Sequence, residues 1–86
     1  MCTYTTLTEA VEGSAKGPEG RWLRVSTATV YYDHPVHAMA EHTLNIDLAD
    51  PTGGPAARVG IELTAASALR LAEAIEEALA AAGVDT

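Results

Sequence analysis

A single change in hydrophobic periodicity, late in the chain, is the feature that most constrains the fold. Residues 42–48 and 57–63 alternate between apolar and polar side chains, as strands with one buried face do. Residues 65–82 instead place apolar side chains at helical spacing among strong helix formers. Thr64 and Gly83 are suited to cap this helix at its two ends. Strands followed by one helix favour an α+β fold with an antiparallel sheet.

Two further strands are predicted ahead of these segments. Residues 3–11 are rich in Thr and Tyr, and residues 22–32 are β-branched or aromatic almost throughout. Loops with Gly and Pro are predicted at 13–20 and 50–55. The prediction is therefore one α+β domain over residues 1–86, with a four-stranded antiparallel sheet and a C-terminal helix packed on one face.

The short loop at 50–55 predicts a hairpin between the last two strands. If Leu48 opposes Ala57, then Asp47 opposes Arg58, and opposite charges across a strand pair are favourable. In this register the apolar residues of both strands share one face, against which the helix would lie.

The composition predicts a thin core. The chain has 86 residues and a mass of 8.9 kDa, with no Phe, one Trp and three Tyr but 17 Ala. Small apolar side chains contribute little on burial, and a chain of this length hides only about 60% of its unfolded surface. Small folds of this kind are commonly stabilised by association. We therefore predict a homodimer formed through the uncovered face of the sheet or through an edge strand.

Charge and cysteine content restrict partner and compartment. The net charge is −7, which argues against nucleic acid or an anionic membrane as the partner. The sequence has no apolar run long enough to cross a bilayer and no signal-peptide pattern. A lone cysteine excludes an internal disulfide framework. These features predict a cytoplasmic protein.

All three histidines fall within nine residues, at His34, His37 and His42. Imidazole binds transition metals such as zinc, and the neighbouring Asp33 and Glu41 carry carboxylates. The cluster therefore predicts a metal site. Three other interpretations stay open: a general acid/base site, a pH-sensitive dimer contact, or polar loop residues.

A second group of candidates lies on the predicted strands. Asn45 and Asp47 point the same way, like polar residues that line a pocket, and Tyr31 adds a hydroxyl on the preceding strand. These three are predicted to bind a ligand. The alternative for Asp47 is simple pairing with Arg58 in solvent.

The chain resembles a small bacterial family of unknown function along nearly its whole length. The resemblance rests on the opening Met-Cys-Thr-Tyr-Thr-Thr, the segment Tyr-Asp-His-Pro-Val-His-Ala, the following Glu-His-Thr-Leu-Asn-Ile-Asp and the Ala-rich C-terminal helix. It implies a complete, free-standing protein and carries no assigned activity.

Three functional hypotheses follow, and the sequence does not decide whether the protein is an enzyme. The first is a small binding or accessory protein with a metal or small-ligand site. The second is an enzyme in which His37 or His42 acts as general base, with Asp47 or Tyr31 orienting the substrate. The third is a protein–protein interaction module that uses an uncovered surface.

Overall fold

The computed structural model describes residues 5–36, 39, 41–54 and 56–84. Its elements, in chain order, are β1 (Thr6–Lys16), β2 (Trp22–Asp33), β3 (Thr43–Ala49), β4 (Arg58–Leu63) and α1 (Ala65–Ala81). The four strands form one sheet in the order β1-β2-β3-β4, and every neighbouring pair is antiparallel. The predicted α+β fold, a four-stranded antiparallel sheet followed by a C-terminal helix, is confirmed.

Strand β1 is longer than the sequence pattern predicts. It continues to Lys16, through half of the segment predicted as a loop, and its register with β2 shifts between Ala10 and Gly13. The shift is a β-bulge, in which an extra residue is accommodated without ending the strand. The chain reverses only after the bulge, where the Gly17 N–H donates to the Arg21 carbonyl at 2.6 Å. Glycine at position 13 therefore belongs to a bulged strand and not to a turn.

The predicted register of the β3–β4 hairpin is wrong by two residues. Leu48 lies opposite Val59, and Ala57 instead closes the loop by accepting a 3.0 Å hydrogen bond from the Asp50 N–H. The loop is longer than predicted: a 3₁₀ turn at Pro51–Gly53 is followed by Gly54, whose φ is positive at 86°. A shift of two preserves the face of every side chain, so the division into an apolar and a polar face holds.

The two faces of the sheet differ sharply in character. Over the stretch in which β2, β3 and β4 pair with one another, the large aliphatic side chains share one face because side chains alternate along each strand. This apolar face consists of three cross-strand rows, which are Tyr32–Leu44–Leu63, Val30–Ile46–Ile61 and Ala28–Leu48–Val59. The opposite, polar face carries the residues predicted to bind a ligand.

Helix α1 begins at the predicted residue and ends one residue before the predicted end. The Thr64 hydroxyl accepts a hydrogen bond from the Ser67 N–H at 3.2 Å, as an N-cap does. At the other end Gly83 has φ 77°, and the Val84 N–H donates across it to the Leu79 carbonyl at 3.0 Å. This is the Schellman arrangement, which glycine permits because it has no Cβ.

Coverage of the sheet by α1 is limited. The helix contacts β3 and β4, but within it only Ser67 and Ala68 are half-buried, and every later residue is exposed. Ile75, at the centre of the predicted apolar stripe, is 54% exposed. Among the residues that the structure describes, Val25 is the one apolar residue that is buried, with 6% of its surface exposed. The helix thus follows the sheet as predicted, while most of its apolar stripe remains uncovered.

Candidate functional site

A concave cavity of about 670 Å³ lies against the polar face of the sheet. Its lining consists of Tyr31, His34, Val36, Asn45, Ile46, Asp47, Arg58, Gly60, Ile61 and Glu62. The three residues predicted to bind a ligand, which are Tyr31, Asn45 and Asp47, all line this one cavity. We call it the polar-face cavity.

Strand register explains why these side chains converge. Tyr31, Asn45 and Glu62 form one cross-strand row on the polar face. Asp47 and Gly60 oppose each other in the next row, and neighbouring strands lie only about 4.8 Å apart. A Cβ placed on Gly60 would meet nothing within 4 Å. The missing side chain therefore leaves open space on β4 opposite Asp47.

An ion pair fixes the orientation of that carboxylate. Arg58 bonds Asp47 through two nitrogens: Nη2 pairs with Oδ2, and Nε donates to Oδ1 at 3.2 Å. The predicted Asp47–Arg58 pairing is thus present, although it runs diagonally past Gly60 and not directly across the strands. The Arg58 side chain is 58% exposed, and exposed pairs contribute only about 0–1 kcal/mol to stability. The pair contributes more to positioning Asp47 than to stability.

Asn45 is the most deeply placed polar residue of the cavity lining. It is only 6% exposed, and its Oδ1 accepts a 2.6 Å hydrogen bond from the hydroxyl of Thr43, which is fully buried. A buried amide needs such partners, because an unsatisfied polar group inside a protein is costly. The bond holds the Asn45 side chain in one orientation at the edge of the cavity.

Glu62 connects the cavity to the segment between β2 and β3. Its Oε2 accepts a hydrogen bond from the Val36 N–H at 2.5 Å. The Val36 side chain is itself 98% exposed, so this contact is made by the main chain alone. The Glu62 carboxylate therefore brings the segment that follows β2 to the rim of the cavity.

Two of the three histidines form a ring stack with a tyrosine. The rings of His34 and His42 lie 4.5 Å apart with 30° between their planes, and His42 lies 5.7 Å from Tyr32 at 19°. The His34 Nδ1 is also 3.1 Å from the Glu41 carbonyl oxygen. The stack gives both histidines a packing role at the end of the β2–β3 pair. Of the two, only His34 lines the polar-face cavity.

The described residues include His34 and His42 of the predicted metal site. His37 lies outside the described residues, so the geometry of the predicted trio is untested. Among the residues that are described, no three His, Cys, Asp or Glu side chains are grouped as metal ligands. Zinc binding by His34, His37 and His42 therefore stays a prediction.

Sequence reasoning missed the contribution of β4 to the cavity. Arg58, Gly60 and Glu62 share one face of that strand and line the cavity together. A glycine in the middle of an alternating strand was the available signal, since such positions often mark a close approach of a ligand or another backbone. The predicted register placed Arg58 opposite Asp47, so it did not reveal that Gly60 lies there.

Comparison with known families identifies the family to which the chain belongs. The family model of DUF6295, a family of unknown function, matches residues 1–86, so the chain belongs to that family. No match was found among curated proteins or among solved structures. Within the described part of the chain, no helix is both long enough and apolar enough to cross a membrane.

Proposed function

We propose that this member of the family is a homodimeric binding protein that holds a small polar ligand in the polar-face cavity. The observation that carries the proposal is the convergence of Tyr31, Asn45 and Asp47 on one concave surface. Pockets that bind small molecules combine a concave shape with a few fixed polar groups. Asn45 and Asp47 meet that description because each is held by a hydrogen-bonded partner.

The lining chemistry indicates the class of ligand. Asp47 and Glu62 offer carboxylate oxygens, while Arg58 offers guanidinium N–H donors. The Asn45 amide and the Tyr31 hydroxyl belong to groups that both donate and accept. A small ligand that carries both hydrogen-bond donors and acceptors matches this surface better than a purely apolar one.

Gly60 provides a test that does not remove any polar group. A Gly60→Val substitution would place a branched side chain beside Asp47, where space is open, and β-branched residues favour strands. Gly13→Val is the matched control, because Gly13 also lies in a strand with nothing within 4 Å of an added Cβ. The probes are amino acids, nucleosides, sugars and carboxylic acids at millimolar concentration, followed by ¹H–¹⁵N spectra.

The proposal predicts that at least one probe shifts the amide signals of Asn45, Asp47 and Gly60. Gly60→Val should abolish these shifts at the neighbouring residues, and Gly13→Val should retain them. Two results would overturn the proposal: no probe shifts these signals in the wild-type protein, or Gly60→Val responds as the wild type does.

The proposal also covers the oligomeric state of the protein and its location in the cell. The scarcity of large apolar side chains supports a homodimer, since a single copy has little with which to build a core. The lone cysteine fits the reducing cytoplasm. The acidic net charge of −7 fits a role without nucleic acid.

Zinc binding at the histidine cluster is a second candidate function, because the rings of His34 and His42 are close together, stacked with their centroids 4.5 Å apart. Elemental analysis of untagged protein tests it. Stoichiometric zinc that is lost in His37→Ala would support the site. Zinc-free wild-type protein that takes up no added zinc would remove it.

A further inference from the structure

We infer that the exposed stripe of α1 is the surface that binds a second copy of this chain. The inference rests on the proposed homodimer and specifies its interface. The α1 stripe is defined by its three large side chains, Leu71, Ile75 and Leu79, which are separated by small alanines. Their spacing of four residues places them along one side of the helix.

The side chains of this stripe are more exposed than those of a helix whose apolar side is covered by a partner surface. Leu71 is 41% exposed, Ile75 54% and Leu79 37%. In a helix packed on its own sheet, the central residue of the stripe should be the least exposed, and here Ile75 is the most exposed of the three. Contiguous exposed apolar surface of this kind commonly marks an interface.

The total surface of the chain supports a partner of substantial size. The accessible surface is 6706 Å², roughly 1,900 Å² more than the ~4,800 Å² expected for a folded monomer of this mass. The radius of gyration is 14.2 Å, against about 12 Å for a typical domain of this length. Obligate homodimers bury about 1,000–2,500 Å² on each copy, and the excess is of that size.

Charge placement favours an identical partner. The charged residues of α1 lie away from the stripe, at helical positions about 100° or more from its centre. They are Arg70, Glu73, Glu76 and Glu77. Two copies related by a two-fold axis could therefore join their stripes without bringing like charges together, despite the net charge of −7 on each chain.

This arrangement differs from the interface predicted from sequence, which was the other sheet face or an edge strand. The described lining of the polar-face cavity includes no residue of α1. Each copy would then keep its own cavity accessible from solvent.

Sedimentation equilibrium of the full chain tests the inference with two alanine variants of the same helix. Ile75→Ala removes apolar surface at the centre of the stripe, and Leu69→Ala removes a similar amount from a residue that is 67% exposed and lies off the stripe. Both changes favour the helix, since alanine has the highest helix propensity. Far-UV circular dichroism checks that each variant is folded.

The wild-type protein should sediment at twice the 8.9 kDa chain mass. Ile75→Ala should raise the dimer dissociation constant by about 10-fold or more, as loss of a central interface residue does, while Leu69→Ala should stay near wild type. A wild-type protein that is monomeric throughout would overturn both the homodimer and this interface. A dimer that both variants affect equally, or not at all, would overturn the interface while leaving the homodimer standing. Association with another protein through the stripe, in place of self-association, would appear as a wild-type monomer and count against the inference.

Discussion

At the scale of single residues, the side of the sheet on which each candidate lies was predictable, but its neighbours were not. Alternation alone places Asn45 and Asp47 on one face, and the structure finds both in the polar-face cavity. Which residue faces Asp47 depends on the length of the β3–β4 loop, and the backbone conformation of Gly54 determines that length. The local sequence pattern does not predict the backbone conformation of Gly54. The position of Gly60 opposite Asp47 is therefore known only from the structure.

Asp50 offers a prediction at the same scale. Hydrogen bonds from the Thr52 hydroxyl and N–H lower the pKa of the Asp50 carboxyl, with a smaller contribution from Arg24. A lowered pKa stabilises the folded state above the ordinary Asp value, and that contribution is lost as pH falls through the folded-state pKa. Thr52→Val should raise the pKa of Asp50 toward its ordinary value, which NMR titration of the carboxyl carbon measures.

Thr52→Ser is the control for this change, because it keeps the hydroxyl. The Asp50 pKa should remain low in that variant. An unchanged pKa in Thr52→Val would show that the hydroxyl has no effect on Asp50.

At the scale of secondary-structure elements, prediction succeeded wherever the signal was local. Both ends of α1 are marked by residues whose own chemistry caps a helix, and the structure places Thr64 and Gly83 in those roles. The end of β1 was mispredicted because glycine at position 13 suits a turn and a bulge equally well. Pairing with β2 decides between the two, and that pairing is not a local property.

The N-cap of α1 gives a prediction for this scale. Thr64→Ala removes the acceptor of the Ser67 N–H and should lower the free energy of unfolding by about 1 kcal/mol. Urea denaturation measures the change at constant protein concentration, so that association does not vary between samples. Thr64→Ser should retain most of the stability. An equal loss in both variants would contradict a capping role for the hydroxyl.

At the scale of the whole molecule, the composition predicted a shortage of large apolar side chains in the core, and the structure shows which residues are buried. The 17 alanines and the absence of Phe indicated a thin core, and Val25 is the one buried apolar residue among residues 5–36, 39, 41–54 and 56–84. The fold class was predictable from periodicity. The position of α1 was not, because an amphipathic stripe indicates that a helix has a partner and does not identify that partner.

We assign different tasks to two surfaces of the molecule: the polar face of the sheet holds a ligand, and the α1 stripe joins two copies. Relaxation of NMR signals by a soluble paramagnetic chelate tests this division in one measurement. The methyl groups of Leu71, Ile75 and Leu79 should be protected relative to the Leu69 methyls, while the Gly60 amide should be strongly relaxed. Stripe methyls as accessible as those of Leu69, or a shielded Gly60 amide, would contradict the account.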